Sequence, residues 1–222
     1  MDSGEDVEES TESQARRVRA LARLHLEGVP AMADLPVVYD AAVVNPRTPV
    51  EIARRAVATC AAAMKAEGLP PAFVQVLVDR HGAHRWFSPQ EAAFMAEPAS
   101  SRRDRARFSW GYEALWVFLW ALGHVDELEP PTRQCDVPAA VSVMTEQFEM
   151  PDETGAPVRS REELLDEADL MYRYHWAVTD AELTGMEAPA GLNARVIEER
   201  HRALNWLVGH LGAAWDDVET DF

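Results

Sequence analysis

Apolar side chains recur along the chain three or four residues apart, and period-two alternation is nearly absent, which is the signature of amphipathic helices. Residues 13–27 read as a first helix, closed by Gly28 and Pro30. Val18, Leu21, Ala22 and His25 share one of its faces and Arg16, Arg19 and Arg23 the other, so the former is expected to meet the core and the basic face to dock on acidic helices of its own domain rather than on nucleic acid. Thr48-Pro49-Val50-Glu51, Ser88-Pro89-Gln90-Glu91 and Ser160-Arg161-Glu162-Glu163 each form a capping box. In such a box a hydroxyl and a carboxylate satisfy the unpaired N–H groups of a helix start. They predict helices over 49–67, 89–96 and 161–183.

Residues 70–80 predict a short helix ended by Gly82, and 97–107 an Arg-rich loop or helix start. From Trp110 to Leu122 every face is apolar, with Trp116, Phe118 and Trp120 pointing in different directions. Such a helix is buried on all sides. Asp136 can cap a helix over 137–146, residues 148–158 read as a loop, and 193–208 is the last long helix. Trp215 is expected to anchor the acidic segment that follows. Residues 37–44 could pair as a short strand, but no partner strand is visible. The expected fold is all-α: one compact domain of six to eight helices around a Trp-rich central helix, spanning 15–222. Residues 1–14, acidic and rich in Ser and Glu, are expected to be a disordered tail.

Polar groups on apolar faces carry the most information in such a pattern. Glu113 lies inside the most apolar helix, and a carboxylate there must be paired or protonated. Arg200 sits in the middle of the stripe Val196, Ala203, Leu204 and Leu207, with His201 and Asn205 at its edge and Trp206 on the opposite, polar face. A guanidinium cannot lose its proton, so burial requires a partner. His175 shares a face with Leu164, Ala168, Met171 and Val178, whereas Asp169 and Arg173 are i,i+4 partners on the other face, beside Trp176. Glu113, Asp169, Arg173, His175, Arg200, His201 and Asn205 are therefore the candidate ligand-binding residues. Their competing reading is a buried ion-pair network that fixes helix register.

Charge narrows the partners. The chain carries 38 acidic and 21 basic side chains, a net −17. The first fourteen residues hold six of the acids and no base, so the remainder still carries −11. Nucleic acid and anionic membranes are poor partners for such a field, and a basic protein is a good one. The longest apolar stretch is too short to span a bilayer, and the acidic N-terminus has no signal-peptide core. Two cysteines, Cys60 and Cys135, imply no disulfide framework, so a reduced cytoplasmic setting is expected.

Tests for chemistry mostly fail. His81 and His84 are interrupted by Gly82, and the Glu-x-x-His spacing of di-iron helices is missing, so neither a metal nor a cofactor is expected. Cys135 with His175 or His201 and Asn205 has the residue types of a cysteine hydrolase but nothing that brings them together. No nucleophile elbow or phosphate loop occurs.

Several strings taken together resemble a bacterial family catalogued as domain of unknown function 4272. They are 119–123 (Leu-Trp-Ala-Leu-Gly), 135–137 (Cys-Asp-Val), 159–166, 169–177 with its His-Trp-Ala, 199–207 with Glu-Arg-His and Asn-Trp-Leu, and 215–218 (Trp-Asp-Asp-Val). The likeness covers roughly residues 16–221, departing at Ala20 and at Phe222. It implies a soluble bacterial all-α domain and supplies no activity, substrate or catalytic residue. The expectation for function is a non-catalytic binding protein with an acidic surface. The alternative is a small anionic-ligand pocket, or an unrecognised enzyme, built on the buried Glu/His/Arg/Asn cluster.

Overall fold

Capping decides where the helices begin. In the computed structural model, which describes residues 10–36, 41, 44–152 and 159–220, all three capping boxes form with both reciprocal hydrogen bonds. Nine α-helices follow along the described residues: α1 Thr11–Glu27, α2 Pro49–Glu67, α3 Pro71–His81, α4 Pro89–Ala96, α5 Arg102–Ser109, α6 Gly111–Ala121, α7 Val137–Ser142, α8 Arg161–Leu183 and α9 Ala194–Leu207. Eight of them have eight or more residues, and no strand occurs among the described residues. The chain is all-α, in agreement with its hydrophobic period. The short strand considered over 37–44 falls mostly outside the described residues.

Two helices share the centre. α6 was expected there, and Leu115, Val117, Phe118 and Leu119 are completely enclosed. α2 packs along it, and the alanine-rich face that lets the two approach includes Ala53, Ala56 and Ala63, also completely enclosed. Gly111 touches α2 so closely that a Cβ there would lie 3.3 Å from the Thr59 methyl. α9 covers another side of α6, α8 lies on α9, and α1 lies on α8. α3, α4 and α5 surround α2. A large apolar core runs through most of these helices, and a smaller cluster of Ala62, Ala66 and Phe94, with Phe108, joins α2 to α4 and α5.

Three local expectations are corrected. α1 starts at Thr11, because the Ser10 side chain accepts from the Ser13 N–H and caps the helix there. Residues 11–14, assigned to the tail, are therefore helical, and residues 1–9 lie outside the described part. α1 also buries the opposite face from the one expected. Ser13, Arg16, Ala20 and Leu24 point inward, and Val18 is 65 % exposed. Finally, the helix after Asp136 shifts at Ser142 from α to a wider π turn over Val143–Gln147. No helix among the described residues is long and apolar enough to cross a membrane.

Candidate functional site

Arg200 and Glu113 meet across the α9–α6 interface. The Arg200 Nε donates to Glu113 Oε2 at 2.9 Å, and both side chains are buried. Each also grips the loop between α6 and α7. Arg200 Nη1 donates to the Glu129 carbonyl at 2.7 Å, and Glu113 Oε1 accepts from the Cys135 N–H at 2.7 Å. A buried ion pair is tolerable when further hydrogen bonds complete both partners, and here the loop backbone completes them. The pair thus fixes helix register and loop position together.

Other candidates form separate pairings. Asp169 and Arg173 are joined within α8, at 2.8 and 3.3 Å, and are enclosed completely rather than lying on a half-covered polar face. Arg173 Nη1 is buried without a hydrogen-bond acceptor. His175 Nδ1 and His201 Nδ1 are 2.9 Å apart between α8 and α9, so one ring donates and the other must accept. His201 is buried and His175 half-buried. Burial pushes the His201 imidazole down to about 3, with His175 and His210 adding to the shift. Asn205 donates to the Glu219 carbonyl at 2.9 Å and holds the C-terminal segment. Trp206, expected on a polar face, is 8 % exposed and packs on Phe118.

A second buried pair joins Arg55 of α2 to Glu91 of α4, with Arg55 Nε also donating to Thr59 Oγ1 at 3.2 Å. The signal for it was present, since Arg55 interrupts the apolar run Ile52–Met64. Its partner was hidden because Glu91 already served a capping box. Trp215 lies over this pair, stacked on Arg202 at 4.0 Å and on Arg55 at 5.2 Å. The space beside it, lined by Glu91, Glu199 and Arg202, is about 20 Å³, room for a water molecule and no more.

The ligand-sized space lies on the other side of the Glu113–Arg200 pair. A cleft of about 610 Å³ opens between Trp116, Arg200 and the loop 125–136, within the roughly 300–1,000 Å³ of small-molecule sites. Asp126, Glu127, Glu129 and Asp136 line it, with Arg133, Gln134, Pro130 and Cys135. Arg133 is paired with Glu129 at 2.9 Å, and Arg200 with Glu113. Asp126, Glu127 and Asp136 form no ion pair among the described residues. Cys135 lies half-buried at the edge and donates its thiol to the Tyr112 carbonyl at 3.4 Å. Burial and the neighbouring Glu113 raise that thiol far above its ordinary range, so it is poorly suited to act as a nucleophile. Among the described residues, no group of three or more His, Cys, Asp or Glu is placed to hold a metal ion.

Fold and site together define a compact helical domain with a buried ion-pair frame and an acidic cleft. Residues 16–218 match the family described as domain of unknown function DUF4272, and the chain belongs to that family. No curated protein and no solved structure matches it.

Proposed function

We propose that this chain is a non-catalytic binding protein whose acidic surface engages a basic protein. The observation that carries this reading is the cleft beside Trp116. Its ion pairs are internally matched, and three further carboxylates there have no basic partner among the described residues. The net charge of −17 extends the same sign over the molecule, which speeds encounter with a cationic partner. The buried polar groups support a structural role, because Arg200 hydrogen-bonds to Glu113 and, separately, Arg173 to Asp169. The expected test is capture of a Lys- or Arg-rich protein at low salt, weakening at physiological salt as screening grows. Failure to retain any basic partner at either salt overturns the proposal.

A second reading draws on Arg200 at the cleft wall: a pocket for a small anion. The excess of carboxylates around that wall weighs against it. Saturable binding of phosphate that is lost in Arg200→Met, in a variant still folded by circular dichroism, would favour it.

A further inference from the structure

Indole rings in this fold attract guanidinium groups. Among the described residues, arginines lie over Trp86, Trp110, Trp120, Trp206 and Trp215, at centroid distances from 4.0 Å for Arg202 on Trp215 to 5.9 Å for Arg195 on Trp110. Trp116 and Trp176 have no such cation among the described residues. Trp116 is half-buried and lines a cleft large enough for a side chain. The carboxylates around it are exposed: Asp126, Glu127 and Asp136 all reach solvent.

The two cations already present do not fill this place. Arg200 is held from beneath by Glu113 and the Glu129 carbonyl. Arg133 extends into solvent, 77 % exposed, and pairs with Glu129. Asp136 uses one oxygen to cap α7, accepting from the Ala139 N–H at 2.9 Å. The carboxyl groups of Asp126 and Glu127 are committed to nothing else in the described structure. The cleft therefore combines an aromatic wall without a cation and carboxylates without a base.

We propose that the cleft between Trp116 and residues 125–136 receives a guanidinium group, the side chain of an arginine on the basic partner. A planar cation can stack on the indole while its edge donates to carboxylates, and an ammonium cannot do both as well. The Glu113–Arg200 pair contributes by holding the Glu129 and Cys135 backbone, and with it the acidic wall, in place. This inference rests on the basic-partner reading and adds the residue that the partner presents.

The test is titration of the whole chain with N-acetyl-arginine amide, N-acetyl-lysine amide and free L-arginine at physiological salt. The indole N–H resonance of Trp116, identified by its loss in Trp116→Phe, reports binding. Blocked arginine is expected to saturate that resonance, and blocked lysine to bind several-fold more weakly. Asp126→Asn/Glu127→Gln is expected to weaken arginine roughly fivefold with an unchanged melting temperature, since both side chains are exposed. A linear, unsaturating response, equal affinity for lysine, or an unaffected double variant overturns the cleft assignment. If the double variant retains a basic protein as well as the parent does, the partner reading stands and the cleft falls. If blocked or free arginine saturates Trp116 while no basic protein is ever retained, the cleft stands and the partner reading falls.

Discussion

Arg200 shows how one side chain can hold several parts of a molecule at once. Its truncation leaves the enclosed Glu113 side chain without its charge partner, so Arg200→Met is expected to cost about 3–5 kcal/mol in urea unfolding. Adding Glu113→Gln should recover most of that loss. The amide oxygen can still accept from the Cys135 N–H, and no buried charge remains. A double variant as unstable as the single one would show that the loss comes from packing. Titration adds a second prediction at this scale. The neutral His201 ring is favoured in the folded state, and its pKa lies below that of the unfolded chain. Its contribution is fully present above pH ~6.5 and is lost at up to about 1.4 kcal/mol per unit as pH falls towards 3. Glu167 acts with the opposite sign. Burial raises its carboxyl to about 7 despite Arg23 and Arg200. It penalises the fold increasingly as pH rises from ~4.5 to ~7. Glu167→Gln should therefore raise stability at pH 8 and leave it nearly unchanged at pH 4.5. Equal effects at both pH values would mean that the carboxyl is in open solvent.

At the scale of elements, the chain states its boundaries well and its faces less well. Capping boxes at Thr48, Ser88 and Ser160 are local hydrogen-bond chemistry, readable within four residues, and all three form. The inward face of α1 was unreadable by hydrophobicity, because its docking surface on α8 is itself charged. Arg19 forks onto Asp166 at 2.6 and 2.9 Å, and the buried Arg16 lies 4.0 Å from the same carboxylate. Complementary charge overrode the apolar stripe, leaving Val18 and Leu26 in solvent. The face carrying Arg16, Arg19 and Arg23 was nonetheless legible as a surface for acidic helices of the same domain. Arg200 and Glu113 were legible as buried groups because each broke an apolar run, but that they joined each other and the loop 125–136 was not. Nothing in one sequence encodes which distant turns meet. Gly209, which ends α9, supplies the prediction here. It sits at φ +70°, and a Cβ there would lie 2.4 Å from the Asn45 carbonyl oxygen. Gly185 has the same φ with open space around it. Gly185→Ala is expected to cost about 1 kcal/mol from backbone strain alone, and Gly209→Ala clearly more. Similar thermal shifts for the two would refute the contact.

For the whole molecule, the dominant quantity is charge. A net −17 on 222 residues repels itself, and added salt shortens the reach of that repulsion to about 8 Å at physiological strength. Thermal stability is therefore expected to rise between low and physiological NaCl, even though surface pairs such as Arg19–Asp166 weaken. A fall would show that local pairs outweigh the global field. The all-helical fold was legible at this scale because period and composition agreed along the chain. The cleft was not, because it depends on a loop held by distant groups: the Glu113–Arg200 pair, Arg159 on the Val125 and Asp126 carbonyls, and the Asn193 N–H on the Pro131 carbonyl. Trp215 has a consequence of another kind. It fits between Arg202, Arg55 and the Phe118 and Trp206 rings, so a residue that follows all nine helices along the chain seals the centre of the fold. During translation α2, α6 and α9 must wait with that seam open until position 215 has cleared the ribosome. A nascent chain stalled before that point would present unsealed tryptophan to chaperones and proteases rather than a finished domain.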